Sequence, residues 1–306
     1  ASVTKPLAAR AVQVAIEEGA VDLDAAAGPP GATIAHLLAH ASGLAFDKRE
    51  VEAPVGEKRI YSSAGFELLA EHVRRLADDV GVPRGLADLG LLTTDLATGP
   101  YPYAGIPWFS TPFGRDAVIT SLQTLWLQPT LAAGVLRFLA EHQARENSPF
   151  RDAAPGKIMH EMRKGEMAAT GEVPFALYYG GVDTTPLFIV LAGAYAARTN
   201  DLALIDELWP ALERAAQWVA GVCDKNRYGL LDYQRESDGG LANQGWKDSH
   251  DSVFHADGRF PDGPIALVEV QAYASAAFDT MAHFSKLRGQ HDQASRHAAA
   301  WNPCLS

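Results

Sequence analysis

The chain has 306 residues, with 26 Lys and Arg against 37 Asp and Glu and a formal net charge of −11. Hydrophobic residues at 47% and charged residues at 21% are globular proportions, which excludes an intrinsically disordered, collagen-like or disulfide-framework chain. The acidic excess argues against nucleic acid or an anionic membrane as partner, because phosphates would meet net repulsion.

Two cysteines, Cys223 and Cys304, make no framework, and a reducing compartment is the default for such a chain. The longest uncharged apolar run, Pro186 to Ala197, falls short of the ~20 residues that span a bilayer, and no basic-then-apolar leader opens the sequence. The expected location is therefore the cytoplasm. The Ala-Ser start and Leu305-Ser306 stop read as cut rather than natural ends.

Residues 1 to about 77 read as helix, turn, helix. Val12, Val14, Ala15 and Ile16 lead to Gly19, Ile34, Leu37 and Leu38 precede Ser42-Gly43, and Phe66, Leu68, Leu69, Val73 and Leu76 form a third apolar run. Gly28-Pro29-Pro30-Gly31 and Pro54-Val55-Gly56 punctuate turns. Asp78 to Gly85 reads as a boundary, giving a segment 1–80 and a second from 86 to 306.

In the second segment, helices are predicted over roughly 115–127, 131–146, 185–199, 202–223, 264–288 and 291–301, as three helical hairpins. Pro186 and Pro264 suit first-turn positions, Thr130 and Asp201 can cap, and Gly289 can end a helix. The helix at 185–199 is apolar nearly all round and reads as an inner helix. That at 202–223 has one apolar face, through Leu204, Ile205, Leu208, Leu212, Ala216 and Val219, and reads as an outer one. Inner and outer helices in alternation are the layer plan of a helical toroid. The intervening stretches, Leu92–Gly114, Asn147–Val182 and Tyr228–Gly263, are expected as long functional loops.

Those loops interleave carboxylates with aromatic rings, as a sugar site requires: rings stack on pyranose faces while acids hold hydroxyls and move protons. Glu269, in the apolar stretch Ala266 to Val270, would be a costly charge without a partner or a job. Asp248, His250, Asp251, His255 and Asp257 match no zinc or calcium spacing, so no metal and no cofactor is expected.

Four runs carry a specific resemblance: Pro102 to Phe109 with Phe113-Gly114-Arg115-Asp116, Lys157 to Arg163, Tyr178 to Thr185, and Asn243 to Asp248. In these, residues 86–306 resemble the glucosidase domain of the amylo-α-1,6-glucosidase, or glycogen-debranching, family. The resemblance implies a mainly α fold, part of an (α/α)6 toroid, and inverting hydrolysis of α-glucan oligosaccharides. By it, Asp183 is the general acid, while Trp108, Arg115, Asp116, Glu161, Trp246, Lys247, Asp248 and Glu269 contact sugar. The family's general base is expected from helices outside this chain, and a glucan-binding fragment without catalysis is a second expectation.

In the first segment, Ser2-Val3-Thr4-Lys5 fits S-x-x-K, which on a helix sets a hydroxyl and an amine one turn apart. With His36 to Leu44 and Tyr61-Ser62-Ser63, it resembles the serine β-lactamase and penicillin-binding-protein-like esterase family, so the small N-terminal part is expected as a helical fragment of that fold. The resemblance implies Ser2 as nucleophile, Lys5 as its proton acceptor and Tyr61 as second base. Where that family reads Tyr-x-Asn, this chain has Ser63. His36 and His40, without an intervening Glu, are read as structural.

Overall fold

A computed structural model describes residues 22–45, 48–60, 64–65, 68–69, 93–105, 110–225, 227–247 and 249–300. The chain divides into two compact units, one of residues 1–94 with 103–110 and one of 95–102 with 111–306. No helix among the described residues is long and apolar enough to cross a membrane.

In the first unit the short helix α1 (Ile34–Leu38) starts at Thr33, whose hydroxyl accepts from the His36 N–H while the His36 ring accepts from the Thr33 N–H. This reciprocal cap satisfies donors that a helix start leaves open, and it gives His36 a structural role. Ile34 and Leu37 are buried beneath it. Leu44 pairs with Val51, and Gly43 turns the chain at φ +78° where a Cβ would collide with the Ala53 carbonyl.

A three-stranded sheet follows in the order β1 (Thr93–Leu96), β2 (Gly99–Ala104), β3 (Thr111–Pro112). This corrects the expectation of a loop over 92–114. Tyr101, fully buried, donates its hydroxyl to the Phe113 carbonyl at 3.0 Å and packs on Phe138 with ring centroids 4.5 Å apart.

Six longer helices follow: α2 (Gly114–Thr124), α3 (Pro129–Glu141), α5 (Thr184–Thr199), α6 (Leu202–Lys225), α7 (Val268–Leu287) and α8 (His291–Ala300), with the single-turn α4 (Glu166–Ala169) between α3 and α5. Helix α5 packs against α2, α3, α6 and α7, and accordingly buries residues all round, from Thr184 to Ile189 through Leu191, Ala192, Tyr195 and Ala196. Helix α6 buries Leu204, Ile205, Leu208, Leu212, Ala216 and Val219 and turns Asp206 and Glu207 to solvent. Each such Leu or Ile side chain removed from water contributes about 1.5–3 kcal/mol. Helix α3 is buried nearly all round as well, from Leu131 to Leu136 with Phe138 and Leu139. At Gly193 a side chain would press on Thr280, so the small residue lets α5 and α7 approach.

The helices expected over 115–127 and 131–146 end earlier, at Thr124 and Glu141, and two of the start and stop signals are displaced. Asp201 caps α6, its carboxylate accepting from the Leu204 N–H at 3.2 Å, and Gly289 at φ +71° ends α7. Thr130 lies inside α3, which starts one residue earlier at Pro129. Pro264 precedes α7 by four residues, because Ile265 is held in an extended pairing with Tyr233.

Candidate active site

The N-terminal ends of α2 and α5 meet at the centre of the second unit. Arg115 is the second residue of α2, and Asp183 immediately precedes α5. Arg115 Nη1 donates to Asp183 Oδ2 at 3.2 Å, with Asp183 0% and Arg115 9% exposed. The Asp183 side chain makes no capping bond to its helix. Its other oxygen faces the Thr184 hydroxyl at 3.4 Å. Burial pushes the Asp183 carboxyl up from the usual carboxylate value, against the opposing pull of Arg115.

The loops bring the remaining runs to the same place. The Gly114 N–H donates to the His160 carbonyl at 2.7 Å, and a side chain at Gly114 would collide with the Met159 carbonyl and with Thr184. Glycine is therefore required for the segment 157–163 to lie against the start of α2. That segment pairs on both edges, since Glu161 bridges Phe113 on one side and Tyr178 on the other. The Thr185 hydroxyl accepts from the Ile158 N–H at 3.0 Å, and the Val182 N–H donates to the Gln244 carbonyl at 2.8 Å. Runs at 113–116, 157–163, 178–185 and 243–247 thus converge around one carboxyl.

Glu161 is 1% exposed, and its two oxygens accept from Arg163 at 2.7 and 3.0 Å. Arg163 also lies over the Phe175 ring at 3.9 Å. Asp116 sits in the first turn of α2, half-buried. Glu269 stands in the first turn of α7 and is half-buried, which corrects the expectation of an acid enclosed in apolar surroundings: the helix start turns it outward from Val270. Burial raises the Tyr233 and Tyr273 phenols, and the charges of both Asp183 and Glu269 add to the rise. Both tyrosines therefore lie in the field of these two acids.

Trp246 is 51% exposed, with the Lys247 ammonium 5.2 Å from its ring centroid. Both stand on the surface stretch after Gly245. Trp108, Asp248, Ser2, Lys5 and Tyr61 lie outside the described residues. Among the described residues no group of three His, Cys, Asp or Glu side chains is placed to hold a metal.

Three residues given no role from sequence organise this centre. His160 is buried, with Nδ1 lacking a hydrogen bond, and burial together with the Arg115, Arg163 and Lys157 charges keeps its ring neutral, well below the usual histidine value. Asp152, at φ +49°, accepts from the Tyr178 hydroxyl at 2.7 Å and from the Glu236 and Ser237 N–H groups at 2.6 and 3.2 Å. Lys157 donates to the Asp152 carbonyl at 2.8 Å, and burial pulls its ammonium down to about 8. No short-range pattern marks Asp152, whose carboxylate partners lie 26, 84 and 85 positions away.

Comparison with known proteins bears on the other end of the chain. Residues 1–88 match the Beta-lactamase family model. A solved beta-lactamase from Mycobacterium bovis is 35% identical over 33% of this chain and 58% of its own, with a TM-score of 0.25. The chain thus spans little more than half the length of that protein. No curated protein matches. The similarity to the Beta-lactamase family is thus confined to residues 1–88, under a third of the chain.

Proposed function

We propose that the chain joins two hydrolytic segments of different chemistry. For residues 1–88 the reading is a serine β-lactamase-like esterase, supported by the family match and by the S-x-x-K run at Ser2 and Lys5. The Ser2 hydroxyl attacks an ester or lactam carbonyl while Lys5 takes its proton. Tyr61 relays a proton to the leaving oxygen or nitrogen, and water then releases the acyl group. A fluorescent penicillin applied to the full chain should label it covalently and fail to label Ser2→Ala. Equal labelling of both, or of neither, contradicts the assignment.

For residues 86–306 the reading is glycosidic hydrolysis of α-glucan oligosaccharides, and the observation that carries it is the buried, upward-shifted carboxyl of Asp183 beside Arg115. A carboxyl whose affinity for its proton is raised by burial can give that proton to a glycosidic oxygen as the bond breaks. Inversion requires a second carboxylate that activates water from the opposite face, and no described residue is assigned that part. Since Asp183 is sealed, a sugar must displace what covers it before the proton can move. Arg115 and Asp116 then hold sugar hydroxyls, and Trp246 offers a stacking face. The fold that suits this reading is an arc of an (α/α)6 toroid, and the location that suits it is the cytoplasm.

The test is incubation of the full chain with maltooligosaccharides, following both glucose release and the thermal midpoint. Wild type should release glucose and melt higher with sugar, whereas Asp183→Asn should keep the rise in midpoint and lose release. A rise in both proteins without release leaves a glucan-binding module. No rise and no release overturns the glycosidase reading.

A further inference from the structure

Lined by none of the residues around Asp183, an open cavity of about 530 Å³ lies between the turn after β1 and helices α3 and α6. Its walls include Thr98, Arg137, Arg145, Glu207, Pro210 and Arg214. Three guanidinium groups at one cavity are unexpected in a chain whose net charge is −11.

Their partners divide them. Arg137 is bound on both sides by Glu207, with Nε and Nη2 donating at 3.0 and 3.1 Å, so that charge is spent. Arg145 makes no hydrogen bond or ion pair among the described residues and is exposed. Arg214 donates only its Nε, to Gln143 Oε1 at 2.9 Å.

Gln143 is itself buried and immobilised, its amide donating to the Gly156 and Ala211 carbonyls at 3.0 and 2.9 Å. Gln143 therefore holds the Arg214 fork by one edge and leaves both Nη groups to the cavity. Burial and the neighbouring Arg145 charge both work against the Arg214 cation. Two like charges kept side by side without a bridging carboxylate are stabilised by an anion between them. The Thr98 hydroxyl, buried and without a hydrogen bond, adds a donor at the same wall. The opposing charges are Glu207, already neutralised by Arg137, and Glu141 and Glu213 beside the cavity and Arg214.

We propose that this cavity is an oxyanion site that takes inorganic phosphate, or the phosphoryl group of a phosphorylated ligand, between Arg145 and Arg214. It is independent of the chemistry assigned to Asp183 and Ser2, and its chemical class differs from the neutral sugars read for the centre of the unit.

Calorimetric titration of the full chain at low ionic strength, first with inorganic phosphate and then with glucose 6-phosphate, tests it. Both should bind, with affinity falling as salt is raised. Equal affinities identify free phosphate as sufficient, and tighter binding of the ester identifies a phosphorylated ligand. Arg145→Gln and Arg214→Gln should each weaken binding at least tenfold. Arg259→Gln, on the distant surface loop where Arg259 pairs with Asp257, should leave it unchanged. Because Arg145 is exposed, its variant folds as wild type does and decides the matter even if Arg214→Gln does not fold. No binding of either probe, or undiminished binding in Arg145→Gln, overturns the proposal.

Discussion

Arg115 and Asp183, 68 positions apart, form an ion pair at 3.2 Å with the carboxyl fully removed from solvent. The pair joins the starts of α2 and α5, and desolvation outweighs the guanidinium in moving the carboxyl upward from its ordinary value. Breaking one side leaves an uncompensated buried charge, which costs far more than the pair contributes. Arg115→Met and Asp183→Leu should therefore each lose about 3–5 kcal/mol, and the two together should recover to within about 1 kcal/mol of wild type. Denaturant midpoints of the two single variants and the double complete the cycle. Strict additivity would refute the coupling.

The close approach at the start of α2 predicts a steric penalty. Gly114→Ala drives a methyl group into the Met159 carbonyl and Thr184. Overpacking of this kind costs about 1–3 kcal/mol. The loss should appear as a lower urea midpoint with an unchanged slope. A neutral substitution would mean that segment 157–163 does not lie against α2.

Asp152 ties three loops together through one carboxylate. Asp152→Ala strands the Tyr178 hydroxyl and the Glu236 and Ser237 N–H groups, and each buried group left unsatisfied costs about 1–3 kcal/mol. The variant should lose at least about 3 kcal/mol. Asp152→Asn, which tolerates the left-handed backbone and keeps an acceptor, should lose less. Equal thermal midpoints for the two variants would contradict the hub.

Lys157 gives a pH signature. Burial lowers its native value to about 8, below the ordinary value of 10.5. Between these limits the unfolded chain binds the extra proton, so stability rises with pH through this window. The contribution is largest above the unfolded value and is lost as pH falls through the native one. Wild type minus Lys157→Met, measured by urea unfolding at pH 8 and pH 10, should show this upward slope. A flat or falling difference would contradict it.

The helices were legible because their apolar residues recur at three and four positions, and the all-round apolar stretch at 187–192 marked α5 as buried on every side. The strand pair at 93–104 was not, since Gly99, Pro100 and Pro102 read as loop punctuation and only packing of Tyr101 on Phe138 reveals β2. At the site, Asp183 and Arg115 were visible through local runs. Asp152 acquires its role from partners brought in by tertiary folding, and His160 and Lys157 from burial, and no spacing announces either. Residues 1–88 were legible as motif alone, and their match to a family model rests on sequence.

The most direct measurement is a pH titration of the Asp183 carboxyl carbon by nuclear magnetic resonance in the full chain, assigned by the signal missing from Asp183→Asn. The midpoint should lie above the ordinary carboxylate value of about 3.9 and move further up in Arg115→Met as the opposing charge is removed. A midpoint at or below that value would mean the guanidinium prevails over burial, and Asp183 would then be a structural anion with no proton to give.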